Sequence, residues 1–244
     1  MIEPQDFEER DAVGSIDRIL VNFGLAIIAV LPTLVAVLLM PWKVAPLIEE
    51  QDPKGREGVL LGPGVFFLLC TTVVMLMIAV IVPEEAVEVN GAFIGPALAL
   101  RVAEAVNEGD VWKTLSVIAP IYLLTTIFAL VWMPLRLWFG PRFSLAVSLR
   151  IALYLTASIV SFIAITSVAI DTVALTMENG RQTAQLLYRY NSIPIVALAL
   201  HIIFGVNRAL FRDAGLVKTA AGSAGQFGLL LAGLMGITAM AFQA

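Results

Sequence analysis

The chain has a single cysteine, Cys70, and a single histidine, His201. One thiol closes no disulfide within the chain, and a zinc site needs about three or four Cys, His or acidic ligands. A structural zinc site and bis-histidine haem ligation within one chain are therefore excluded. Charge is also scarce: Asp, Glu, Lys and Arg make up 14% of the residues, against about 25% in soluble domains. There is no basic excess, since the net charge is −4, and this argues against nucleic acid as a partner, which needs a basic face. Sustained apolar/polar alternation is missing at either period, which speaks against soluble helices and against a transmembrane β-barrel. Also absent are a Gly-x-Ser rhomboid-like motif, paired Gly-x-Gly-Asp aspartates, His-Glu-x-x-His and any Gly-Lys-Ser/Thr phosphate loop. An intramembrane enzyme is therefore the least favoured reading, for want of these residues.

What the chain does have is apolar length. Hydrophobic residues make up 59% of it, concentrated in six runs: Ile19–Met40, Gly64–Val82, Leu115–Met133, Ile151–Ile170, Ile193–Val206 and Gly222–Phe242. A span needs roughly 20 apolar residues to cross a hydrocarbon core of about 30 Å. The run Ile193–Val206 is short, and must borrow Leu186–Tyr190 or Asn207–Phe211 from its flanks. Lipid does not hydrogen-bond backbone groups, so each run should be a helix. The expected fold is all-α, a polytopic transmembrane helix bundle with six spans, or five if the first run is half-inserted and kinked at Pro32. Pro63, Pro120 and Pro194 fall near span starts, where proline costs little.

Residues 1–18 form an acidic tail with Glu3, Asp6, Glu8, Glu9, Asp11 and Asp17, unlike the basic start of a signal peptide. Residues 19–244 read as one membrane domain. In the 83–114 loop, Leu98, Val102 and Val106 share one face while Arg101, Glu104 and Glu108 share another, predicting an amphipathic helix between Pro96 and Gly109. Orientation follows from basic residues. Lys43, Lys54, Arg56, Arg136, Arg142, Arg150, Arg208, Arg212 and Lys218 place nine of the 15 in three short loops. Positive charge is retained in the cytoplasm, so these loops should lie there, with both termini and the 83–114 loop outside. Trp42 and Trp138 then fall at the inner interface, and Trp112, Tyr188 and Tyr190 at the outer one.

Titratable residues are almost absent from the runs, and a proton-coupled transporter would need one near the midplane. Asp171 sits at the outer end of the fourth run and reads as a solvated helix end; Arg150, at the start of that run, can snorkel to the interface. His201 is central in the fifth. It has the chemistry to shuttle protons, hydrogen-bond a quinone or ligate a pigment magnesium, but the favoured reading is a buried donor to a neighbouring helix at Thr125, Thr126 or Ser161. Cys70 reads as a packing residue. No catalytic, cofactor-binding or metal-binding residue is assigned, and no cofactor is expected. In the last run Ala224, Gly228, Ala232 and Gly236 recur every four residues, predicting a close helix–helix seam, preferentially inside the bundle and otherwise against a partner chain.

Three stretches carry a family likeness: Leu47–Phe67 (LIEEQDPKGREGVLLGPGVFF), Phe143–Ile163 (FSLAVSLRIALYLTASIVSFI) and Ile195–Thr219 (IVALALHIIFGVNRALFRDAGLVKT). They make residues 43–244 resemble the bacterial branch of the Yip-domain family of multi-pass membrane proteins. That resemblance implies five spans with the C-terminus outside, the first run being additional, and no catalytic residues. The expected role is a non-enzymatic Yip-like scaffold or accessory subunit in the bacterial cytoplasmic membrane, whose partners are the lipid bilayer and other membrane subunits. The alternative is a small-solute transporter or channel lined by Thr71, Thr72, Thr125, Thr126, Ser158, Ser161, Thr166 and Ser167.

Overall fold

A computed structural model of the chain describes residues 24–49, 60–81, 111–176 and 179–241. The acidic 1–18 tail and the amphipathic segment of the 83–114 loop lie outside them. The described residues are helical and contain no strand. The helices are α1 (described over Gly24–Leu39), α2 (Ala45–Glu49), α3 (Pro63–Ile81), α4 (Val111–Val131), α5 (Arg136–Phe139), α6 (Leu145–Thr176), α7 (Gly180–Leu210) and α8 (Leu216–Ala241). The six longer helices coincide with the six apolar runs.

Length and composition make Tyr122–Phe139, Leu145–Ile170 and Tyr190–Leu210 suitable for crossing a membrane; Gly24–Leu39 and Pro63–Val74 are shorter apolar segments. The short fifth run draws on both of its flanks, since the apolar segment runs from Tyr190 to Leu210. Because α7 begins at Gly180, Pro194 lies well inside the helix and not near its start. Proline there removes one hydrogen bond to the preceding turn, a loss that packing in a long helix can offset. The helix likewise continues through Pro32. At 1.5 Å per residue, the 32 residues of α6 reach about 48 Å. That exceeds a hydrocarbon core of about 30 Å, so α6 and α7 continue past their apolar spans as a helical hairpin.

α6 is central, packing against α3, α4 and α7, while α8 closes on α7 and α4. The core between them is aromatic and aliphatic: Phe66, Phe67, Trp132, Phe143, Ile151, Tyr154, Leu155, Ile202 and Ile203 are all sealed from solvent. Phe67 meets Tyr122 edge-on at 4.5 Å, and Phe66 lies 5.6 Å from Tyr154. Hydroxyl and amide side chains join the helices. Ser148 donates to the Ala129 carbonyl (2.9 Å), Thr125 to Thr156 (3.2 Å) and Asn191 to Thr166 (3.1 Å). The backbone at Leu61 is held on both sides: its N–H donates to Thr33 Oγ1 (2.9 Å) and its carbonyl accepts from the Tyr154 hydroxyl.

Candidate functional site

The three basic turns come together at one end of the bundle. The first runs from a 3₁₀ turn, Pro41–Val44, into α2. Pro41 rests on Gly205 of α7 so closely that even a methyl group there would collide with its ring. The second and third each include a left-handed glycine, Gly140 (φ 86°) and Gly215 (φ 77°), a conformation that favours glycine. Phe139 stacks on Phe211 at 4.5 Å and Phe143 lies 6.0 Å from the same ring, so the second and third turns share an aromatic core. Trp138 Nε1 donates to the Lys218 carbonyl at 2.8 Å. Arg150 does not simply snorkel to the interface: its Nη1 donates to the Ile48 carbonyl at 2.8 Å, satisfying the end of α2.

Between these turns lies a cavity of about 360 Å³, lined by Trp42, Glu49, Arg142, Leu210, Arg212 and Asp213 among others. Arg142 Nη1 is 3.6 Å from Asp213 Oδ2, with both side chains largely exposed. The Arg212 carbonyl accepts from Arg208 Nη1 at 3.3 Å, which steadies the turn. The Arg212 guanidinium and the Glu49 carboxylate have no ion-pair partner among the described residues. Trp42 is half exposed at the rim.

One level deeper is a buried polar node. Asn207 Nδ2 donates to Ser223 Oγ (3.0 Å) and to Gln226 Oε1 (2.8 Å), and Trp132 Nε1 donates to the Gln226 carbonyl (3.0 Å). Asn207 Oδ1 and Gln226 Nε2, both buried, have no partner among the described residues. This node ties α7 and α8 to the turn that follows α4.

No protein family, curated protein or solved structure matches this chain.

The expected inward histidine is not found. His201 is exposed on α7, because Ala199, Ile202, Ile203 and Val206 take the inward face and leave it on the outer arc with Ala197 and Tyr190. Two of the three suggested acceptors are committed elsewhere: Thr125 bonds Thr156, and Thr126 is exposed and bonds the Tyr122 carbonyl; Ser161 is buried, away from the exposed imidazole. The expected within-bundle seam on α8 is also displaced. Ala224, Gly228 and Ala232 are exposed and no neighbour lies within 4 Å of a Cβ built at Gly228. The buried face of α8 is Thr219, Gly222, Ser223, Gln226 and Leu230, with Gly222 pressed against Phe139 and Trp138. Polar partners on α7 and the Trp132 indole just after α4 decide that rotation. Cys70 is buried and packed, as expected. Asp171 lies within α6, just past the apolar span.

Half of the hydroxyls proposed to line a solute path turn to their own helices. Thr71 and Thr72 donate to the Leu68 carbonyl, at 3.0 and 2.8 Å, and Thr166 to the Phe162 carbonyl at 2.9 Å. Ser158 Oγ is buried without a partner among the described residues. Sequence reading passed over Asn207, Gln226, Ser223 and Trp132. The signal was there: two amides within otherwise apolar segments, where each needs a partner.

Proposed function

We propose that this chain is a non-catalytic multi-pass integral membrane protein, a Yip-like scaffold or accessory subunit of a larger complex in the bacterial cytoplasmic membrane. In this reading all six long helices span, and the converging basic turns face the cytoplasm. The observation that carries it is the outward imidazole of His201, midway along the Tyr190–Leu210 span. Left against hydrocarbon, its donor and acceptor would go unsatisfied, at a cost of roughly 2–7 kcal/mol depending on reference state. A partner helix bearing a polar group relieves that cost. Exposed Ala197, one turn earlier, lets a partner backbone come close. The transporter reading has less support, because aromatic side chains fill the described core and half of the candidate hydroxyls serve their own helices.

The test is the native size of the complex in mild detergent, for wild type and two variants. Wild type should migrate well above a single chain. His201→Leu should release it to a smaller species, and His201→Gln should retain it. A single-chain species for wild type would sink the proposal, as would a complex indifferent to His201→Leu.

A further inference from the structure

Among the described residues, the cavity at the basic end carries two cations and two anions, Arg142 and Arg212 facing Glu49 and Asp213, beside the half-exposed indole of Trp42. That lining is poorly suited to a simple anion, since each carboxylate offsets a guanidinium. It suits a ligand carrying both charges. Guanidinium groups match phosphate oxygens through two parallel hydrogen bonds. A primary ammonium has three donors for carboxylates, and an indole face attracts a cation. The volume of about 360 Å³ sits at the small end of the roughly 300–1,000 Å³ typical of ligand pockets, so it holds a head group and not a whole lipid. The cavity opens where apolar spans end: Leu210 closes the Tyr190–Leu210 span, and Leu39, exposed at the end of α1, is three residues before Trp42. Tryptophan at such a junction favours the head-group level.

We infer that this cavity binds the phosphoethanolamine head group of a membrane glycerophospholipid. Arg212, assisted by Arg142, holds the phosphate, while Glu49, Asp213 and Trp42 hold the ammonium. The inference rests on the chain being a membrane protein, but on neither its orientation nor a scaffold role.

The experiment uses the full chain purified in a neutral detergent. Native mass spectrometry is run with equimolar phosphatidylethanolamine, phosphatidylglycerol and phosphatidylcholine of matched acyl chains. Phosphatidylethanolamine adducts should exceed the other two several-fold. Glu49→Gln with Asp213→Asn should abolish the preference over phosphatidylglycerol, and Arg212→Gln should weaken adducts of both lipids. Arg136→Gln with Lys218→Gln, outside the cavity lining, should change nothing. Equal retention of the three lipids, a preference for phosphatidylglycerol, or a preference that survives the carboxylate substitutions would overturn the assignment. A second measurement needs no variant: thermal stabilisation of wild type by lipids with zero, one, two or three N-methyl groups. Stabilisation should fall at each methylation as an ammonium donor is lost. A flat series, or equal stabilisation by soluble phosphoethanolamine, would refute a lipid site of this chemistry.

Discussion

Asn207 and Gln226 join α7 to α8 through a buried amide pair. Removing Asn207 strands Gln226 and Ser223 in a buried site, whereas removing both amides leaves only the small Ser223 hydroxyl without its partner. Asn207→Leu should therefore lower the thermal midpoint in detergent, and adding Gln226→Leu should restore part of the loss. Interhelical hydrogen bonds in membranes are worth roughly 0.6–2 kcal/mol, which sets the coupling expected from the double-mutant cycle. Strictly additive losses would show that the 2.8 Å contact contributes nothing. Few of these residue-level facts were legible beforehand. A search for charge in the runs finds nothing and steps over amides, although an amide in lipid needs a partner almost as a charge does. The orientation of His201 was hidden for a related reason: α7 is apolar on nearly every side around it, so no polar stripe marks the outer face.

Helix existence was legible and helix length was not. Each of the six long helices contains or closely matches its apolar run, yet α6 begins at Leu145 and α7 at Gly180, both ahead of their runs. Hydropathy marks hydrocarbon, whereas the backbone hydrogen-bond ladder continues into polar sequence until a turn stops it. On α8 the sequence offers two faces of small residues, and periodicity alone does not choose between them. The structure buries the one containing Gly222. Gly222→Leu should drive Phe139 and Trp138 from their places, at a cost of about 1–3 kcal/mol, read as a fall in thermal midpoint. Gly228→Leu should leave that midpoint unchanged. If both substitutions destabilise the purified chain equally, the assigned face of α8 is wrong.

The bundle as a whole is polarised, with the basic turns at one end and the α6–α7 hairpin at the other. The charge distribution predicted that these turns share a side, and the Arg142–Asp213 pair and the Phe139–Phe211 stack put the second and third together. The cavity was not legible, since it is built from turns far apart in the chain. Which compartment each end faces follows from the proposal and is testable. In a Cys70→Ser background, Asn179→Cys at the hairpin should react with an impermeant thiol reagent in intact cells. Asp213→Cys should react only after permeabilisation. The reverse pattern would invert the proposed topology.

The double hold on Leu61 also bears on the order in which the protein is made. Thr33 and Leu61 leave the ribosome early, but Tyr154 emerges only after the whole of α4, and Arg150, which satisfies Ile48, only just before it. Until α6 is synthesised, the N-terminal third lacks the side chains that fasten it. A chain halted near residue 140 should thus yield its first helices to protease far more readily than one halted past residue 176. The N-terminal third would be an early arrival that waits for its clasp, and substitutions at Tyr154 should act first on yield during biosynthesis.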